Sequence, residues 1–400
     1  MLKKMFKSYD YSLITVVFLL CVFGLVMVYS SSMVVAVALY DVPSDYFYEK
    51  QKLSLIVAIA VFFFTMIIPY RVYAHPNVIK TIVFGSLGML IIVFLFGRTA
   101  GNAQSWLNLG RIGFQPSEFI KLGVIIYLAG VYAKKQTYID QFDKAVLPPI
   151  VFTVIICLFI IIQPDFGTAF IIALIAATIV VCSGMGLKSL VKLALLGIAT
   201  LVIILPIYFA FGGLSNEQLS RFQGYSQPFA YEDSYGFQLV NSYIAIGSGG
   251  IKGLGLGNSI QKYGYLPEAH TDFIMAIVAE ELGVFGVVFV LLSLAFIVIK
   301  GFLIARESDD PFGSLLTIGI SSMIGIQTFI NIGGLTGLLP ITGVPLPFIS
   351  FGGSSLVLLM ASMGVLVNVS MFVNYRKAQN KKGQKFTASN SAEQRTTFQL

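Results

Sequence analysis

The sequence predicts an all-α membrane protein: a polytopic bundle of ten transmembrane helices, both termini cytoplasmic, with a large external loop between helices seven and eight. Three observations lead there. The 400 residues are 56% hydrophobic and only 11% charged, whereas a soluble domain carries roughly 25% charged residues. Apolar runs of about 18 residues or more, long enough to cross a bilayer, recur from end to end. Basic residues also sort by side. With the N-terminus inside, most Lys and Arg, including Lys3, Lys4, Lys7, Arg71, Lys134, Lys135, Lys300 and Arg306, fall on the cytoplasmic face. Lys50, Lys52, Arg98, Arg111, Arg221, Lys252 and Lys262 fall outside, and Lys121 lies within the membrane. The net charge of +7 therefore reads as topology and gives no reason to expect nucleic acid.

In chain order, the apolar spans lie near 11–32, 53–69, 78–96, 116–133, 146–163, 166–183, 190–211, 271–299, 313–339 and 354–373. The first follows three lysines and resembles a signal peptide. The run from Leu13 to Tyr29 exceeds the usual apolar core of about 7–15 residues, so it reads as an uncleaved helix. Residues 1–373 form one transmembrane domain with an external loop at 212–270. Residues 374–400, with Lys381, Lys382 and Lys385, read as a disordered basic tail. Cys21, Cys157 and Cys182 all sit in apolar runs, with no disulfide or metal spacing.

Four polar clusters punctuate the external side. The first runs from Arg98 to Lys121 and holds the only tryptophan, Trp106. Trp106 suits an interfacial anchor and Pro116 a first helical turn. Glu118 and Lys121 are three apart on one helix face entering the bilayer, where ionisable groups are costly. They mark a polar cavity or an internal ion pair. The second is Gln163–Thr168, where Asp165 either caps the next helix or serves a site. The third couples glycines 249, 250, 253, 255 and 257, which could cradle phosphates, to Pro267, Glu268, His270, Thr271 and Asp272. Asp272 is either an N-cap or a carboxylate at the lip of a lipid-facing groove. The Walker lysine pattern and the Rossmann context are absent. The fourth is Pro340–Ser355, whose prolines and glycines break any helix and suit a re-entrant wall of the same cavity.

These clusters resemble the SEDS family (shape, elongation, division and sporulation), most closely its division-type members. The resemblance rests on Trp106 with Gln115-Pro116-Ser117-Glu118 and Lys121; on Pro164 to Thr168; and on Ala245 to Gly250. It continues in Leu266 to Phe273 with Glu280-Glu281, and in Thr342-Gly343, Leu346 to Phe348 and Gly352 to Ser355. It implies a peptidoglycan glycosyltransferase that polymerises lipid II in the bacterial cytoplasmic membrane at the division septum. It implies Asp272 as the essential catalytic carboxylate. It implies Trp106, Gln115, Glu118, Lys121, Asp165, Glu268, His270, Ser354 and Ser355 around the substrate. A divalent cation (Mg or Mn) with unassigned ligands is implied, as are a class B penicillin-binding protein and further division proteins as partners. Ser105 and Phe237 stand where many members carry Arg and Tyr. Ala269 favours division or sporulation types.

Polymerisation from a lipid diphosphate requires deprotonating a sugar hydroxyl, stabilising the departing diphosphate and keeping the polyprenyl tail in lipid. Asp272 can be the base, and Arg98, Arg111, Arg221, Lys252 or Lys262 can face the diphosphate. One displacement predicts inversion at the anomeric carbon. The rival readings are a lipid II flippase, which broken helices and buried charges also suit, and a scaffold for a transpeptidase. No inverted repeat is evident in the sequence, and a scaffold leaves Asp272 unexplained.

Overall fold

The computed structural model describes residues 7–100, 103–109, 112–210 and 216–397. Its helices are α1 (Tyr11–Tyr40), α2 (Tyr46–Ile67), α3 (Pro76–Phe96), α4 (Pro116–Lys134), α5 (Leu147–Ile162), α6 (Phe166–Cys182) and α7 (Leu187–Ala210). They continue with α8 (Asn216–Ser226), α9 (Phe237–Gly249), α10 (Ile274–Glu307), α11 (Pro311–Leu335) and α12 (Gly353–Thr397). Among the described residues, eight segments are long and apolar enough to cross a membrane, so the chain is a multi-pass membrane protein. The expected spans near 166–183 and 190–211 correspond to α6, which is 17 residues long, and to α7, neither of which is among those eight.

The architecture departs from the sequence expectation in three places. Between α3 and α4 lies a small antiparallel sheet, β1 (Arg98–Ala100), β2 (Ala103–Leu109) and β3 (Ile112–Phe114), in the order β1-β2-β3. The fold remains that of a helical membrane protein, with this small sheet added between two helices. The strand signal is a weak alternation through Ala103–Leu109 that the neighbouring apolar runs overwhelm. Among the described residues, the stretch expected to be an external loop holds two helices, α8 and α9. Helix α12 continues to Thr397, into the stretch expected to be disordered, where Lys, Gln, Arg and Ala are good helix formers.

Helices α4, α11 and α12 form the enclosed centre of the bundle, while α3 shows most of its surface. With no hydrophobic force between helices in lipid, close packing and polar ties hold them together. Helix α12 pairs with α2 through such ties. The Asn368 side chain donates to the Met66 carbonyl at 2.7 Å and accepts from the Tyr70 amide at 2.8 Å. At the other end Gln51 donates to Ser350 O at 3.3 Å and accepts from Gly352 N at 3.2 Å. One end of the bundle, here the lower, is marked by Lys300 of α10 against Asp10 before α1, 3.4 Å apart. The polar clusters gather at the opposite, upper end.

Helix α10 is broken near that upper end. Gly283 has φ 62° and ψ −154°, so Ile274–Leu282 forms a short half-helix ahead of the long run. The glycine segment after α9 docks into the break. Leu254 N donates to Glu280 O and Gly255 N to Glu281 O, both at 2.9 Å, and Val284 N donates to Ile251 O at 3.2 Å. Backbone carbonyls that the break leaves without helical partners are thus satisfied by the loop. Of the glycines that could cradle a phosphate, Gly253 and Gly255 have their amides committed to the carbonyls of Gly249 and Glu281, as has Leu254 to Glu280.

A Cβ on Gly283 would lie 2.5 Å from both Gly253 N and Ile251 O. Gly283→Ala combines this clash with a left-handed backbone that costs roughly 1–3 kcal/mol for a non-glycine residue. Its thermal unfolding midpoint in detergent is expected to drop by several degrees, while Gly325→Ala, whose Cβ has 3.6 Å of room, holds its midpoint. Equal midpoints for the two would show that the loop does not depend on the break.

Candidate active site

The start of α4 supplies most of the upper polar core. Pro116 occupies its first turn, and Glu118 and Lys121 follow on one face. Lys121 Nζ lies 2.7 Å from Glu118 Oε1, and both side chains are almost wholly buried. The other oxygen, Glu118 Oε2, is buried with no protein partner. Asp165 caps α6, accepting from Thr168 N at 3.1 Å. Its second oxygen receives long contacts of 3.4 Å from Gln115 Nε2 and Ser117 Oγ. Asp165 is therefore a cap whose second oxygen faces Gln115 and Ser117.

Gln115, Glu118, Lys121 and Asp165 line one cavity of about 60 Å³, closed on the far side by Thr342, Gly343, Val344 and Pro345. That volume accommodates a few waters and no sugar. A smaller cavity of about 10 Å³ adjoins it, lined by Asp272, Phe273, Asn331 and the same Thr342–Val344 stretch. One strand of backbone thus separates the Glu118–Lys121 pair from Asp272. Gly343 forms its middle, with φ 71°, and a Cβ there would lie 3.4 Å from Asp272 Oδ2. Residues 340–352 of the expected wall are irregular backbone, and the Thr342–Val344 stretch lines both cavities, while residues 353–355 open α12.

Asp272 precedes the half-helix of α10. Phe273, not Asp272, occupies the N-cap position, and it makes no side-chain cap bond. Asn331 of α11 fixes the local main chain, its Nδ2 donating to Asp272 O and Val344 O, each at 2.8 Å. Ser350 Oγ adds a bond of 2.6 Å to Thr271 O, and Phe351 N one of 2.9 Å to His270 O. Asn331 was not singled out in the sequence. Its signal was an amide inside an apolar span, which the cost of burying polar groups makes noteworthy.

The remaining expected site residues line neither cavity. Trp106 is half-buried on β2 beside Gly113. Ser354 Oγ accepts from Gln115 N and donates to Gly113 O, both at 3.1 Å, and so clamps the sheet and α4 to α12. Ser355 is buried in the first turn of α12. Glu268 is exposed, has φ 55° and accepts from Thr271 Oγ1 at 2.6 Å. His270 is buried against Phe47, with ring centroids 4.4 Å apart, and its Nδ1 has no protein partner. Burial pushes its pKa below the ordinary histidine value while the Glu268 charge pulls the other way.

Lys262 is also corrected. It is fully buried, its Nζ bonded to Glu281 Oε1 at 2.9 Å, Gly257 O at 2.6 Å and Ser30 Oγ at 3.3 Å. Ser30 Oγ in turn lies 2.7 Å from both oxygens of Glu281. A cation so engaged cannot face a diphosphate. No group of three or more His, Cys, Asp or Glu capable of holding a metal occurs among the described residues, so they supply no protein-only metal cage.

Taken together, the fold and site define a polytopic helical membrane protein with ionisable groups and irregular backbone enclosed at one end of the bundle. A family model for FtsW, RodA and SpoVE, described as cell cycle protein, matches residues 11–375, and the chain belongs to that family. It is 58% identical over 384 residues to the probable peptidoglycan glycosyltransferase FtsW of Bacillus subtilis, covering 96% of this chain and 95% of that one. It is 36% identical to the stage V sporulation protein E of the same organism, covering 92% and 98%. Among solved structures, a chain of a peptidoglycan synthase complex that coordinates polymerization and crosslinking superposes with a TM-score of 0.72 at 24% identity, covering 91% and 98%. The rod shape determining protein RodA of Thermus thermophilus superposes with a TM-score of 0.65 at 24% identity, covering 90% and 96%. These two show a shared fold.

Removing one member of a buried ion pair typically costs about 3–5 kcal/mol, because the other charge is stranded. Lys121→Met is therefore expected to be strongly destabilised, and Glu118→Gln with Lys121→Met to regain most of the loss. If the pair serves the substrate, the double variant folds yet makes little glycan. A double variant with normal stability and normal glycan synthesis would make the pair purely structural.

Proposed function

We propose that this protein polymerises lipid II into glycan strands on the outer face of the cytoplasmic membrane, with Asp272 as general base. The protein is a peptidoglycan glycosyltransferase. The observation that carries this activity is the 58% identity, along 96% of the chain, to a relative named for it. The upper end of the bundle is then the extracytoplasmic end, with both chain termini inside, in keeping with the distribution of basic residues.

The proposed chemistry uses Asp272 at a membrane-edge position whose main chain Asn331 holds in place. The acceptor sugar hydroxyl gives its proton to the Asp272 carboxylate as its oxygen attacks the anomeric carbon of the donor. The bond to the diphosphate breaks, and the configuration inverts. A diphosphate leaving group needs little protonation, so one carboxylate suffices. With Lys262 withdrawn into the core, the candidates for the diphosphate are the exposed Lys252, together with Arg98, Arg111 and Arg221, whose side chains lie outside the described set. A divalent cation, Mg or Mn, would supply further charge neutralisation. It would be held mainly by substrate oxygens and water with one or two carboxylates.

Both cavities are too small for a sugar, since ligand pockets commonly measure about 300–1,000 Å³. The substrate therefore either engages the outer lip or opens the Thr342–Val344 wall, bringing Glu118 and Lys121 within its reach. We further propose a class B penicillin-binding protein and other division proteins as partners, and residence at the septum. The match to a chain of a complex that coordinates polymerization and crosslinking supports a crosslinking partner, and the cell cycle description of the family supports a place in division.

Asp272→Asn tests the base directly. It retains the shape of the side chain but cannot act as a carboxylate base. The purified variant with its partner, given lipid II in detergent, is expected to fold and bind normally. Its strand synthesis should be down about 10²–10⁴-fold, the usual contribution of general base catalysis. Robust strand synthesis would remove the assignment. Detergent has no compartments, so a lost flippase activity could not produce this defect.

A further inference from the structure

The segment between α9 and Asp272 has its chemistry turned outward. Ile251, Leu254, Leu256, Ile260, Tyr263 and Tyr265 are exposed, Ile251 by 69% and Ile260 by 57%. Ser259 and Lys262 are fully buried. A loop standing in water is expected to show the reverse, because contiguous apolar surface facing water is unfavourable. Of the exposed polar residues, Asn258 folds its side chain back onto Leu254 O at 3.1 Å. Lys252 has a long stem that can carry its charge to a headgroup layer.

Most of the segment's backbone amides also find partners within the protein. Irregular chain is excluded from hydrocarbon because unpaired N–H and C=O groups are costly there. Here the amides of 253–255, 258 and 263 bond to backbone carbonyls. Those of Ser259, Ile260 and Gln261 reach the carboxylates of Glu281 and Glu280, Ile260 at 2.8 Å, and Lys262 N reaches Ser259 Oγ at 3.2 Å. Ser259 Oγ also donates to Glu280. The two buried glutamates thus take up polar groups that would otherwise face outward.

The height of the segment agrees. It is tied at Ser30, twenty residues above Asp10, or about 30 Å along α1 at 1.5 Å per residue. The hydrocarbon core is itself about 30 Å thick. Beyond Ser30, α1 still exposes Val37 and Leu39, so lipid-facing surface continues above the tie. Alongside, α10 exposes Val284, Phe285 and Val288, and the apolar face of the segment is continuous with that surface through the Val284–Ile251 bond.

We propose that residues 251–265 form a lipid-contacting wall at the membrane boundary: they present Ile251, Leu254, Leu256 and Ile260 to phospholipid acyl chains and Tyr263 and Tyr265 to the headgroup layer. Placing this wall in the outer leaflet rests on the orientation proposed above; lipid contact itself does not. The aqueous surface next to Asp272 is correspondingly smaller than an external loop at 212–270 would provide.

The test uses the full chain in phospholipid vesicles, with Cys21, Cys157 and Cys182 replaced and a nitroxide placed at 254, 256 or 260. Collision with oxygen is expected to exceed collision with a water-soluble nickel chelate at all three sites, with the order inverted at the exposed position 223. Higher nickel access at 254–260 would make the segment an aqueous loop. Exclusion of both reagents would mean a second copy or another protein covers it, and either result overturns the proposal. The unsubstituted chain supplies a second reading. A phospholipid with a photoactivatable group in its acyl chain should label peptides from 251–265 as well as those from 284–292, and labelling of the latter alone counts against the wall.

Discussion

The Lys262–Glu281 pair closes the gap that Gly283 opens in α10. A helix broken inside a membrane protein exposes carbonyls and amides that lipid cannot satisfy, so the break persists only if something polar fills it. The glycine segment does so with its amides, and Lys262 neutralises Glu281 while Ser30 binds the same carboxylate. Fully buried pairs are costly to assemble and add little net stability, yet stranding one member is severe. Here the pair also locks a particular arrangement, in which a short buried half-helix starts just after Asp272.

From that lock the site follows. The half-helix packs into the bundle on all sides, Ile274 to Glu281 being buried. Its start is pinned by Asn331, and the Thr342–Val344 wall is pinned by the same amide. Asp272 therefore stands at a fixed edge, with the Glu118–Lys121 pair behind one layer of backbone. The Asp272 carboxylate at the lip and the charged, water-sized core behind it are distinct parts of one polar end.

Much of this was legible in the sequence because apolar length and basic-residue bias act locally. The boundaries of α4 and α5 are reproduced within a residue or so, since Pro116 starts one and Gln163-Pro164 ends the other. The cost of placing charge at membrane depth singled out Glu118 and Lys121, whereas spacing left Asp165 and Asp272 open between a helix cap and a site, and only the family resemblance joined the four. What escaped was pairing across long separations. Nothing near Lys262 indicates that its partners are Glu281 and Ser30, the latter 232 residues away. By spacing alone the lysine looked like a free cation and the glycines like a phosphate cradle. Asn331 escaped for the same reason, its bonds going to Asp272 and Val344. The sheet around Trp106 escaped because seven alternating residues are a faint signal between long apolar runs.

Amide hydrogen exchange of the intact protein in lipid tests the lock most directly. Residues 251–265 are expected to exchange as slowly as the half-helix 274–282, because the amides of Leu254 and Gly255 are bonded to its carbonyls. In Lys262→Met both segments should accelerate together while 116–134 stays protected. Fast exchange of 251–265 in the unsubstituted protein, or a Lys262→Met chain with an unchanged profile, would contradict the account.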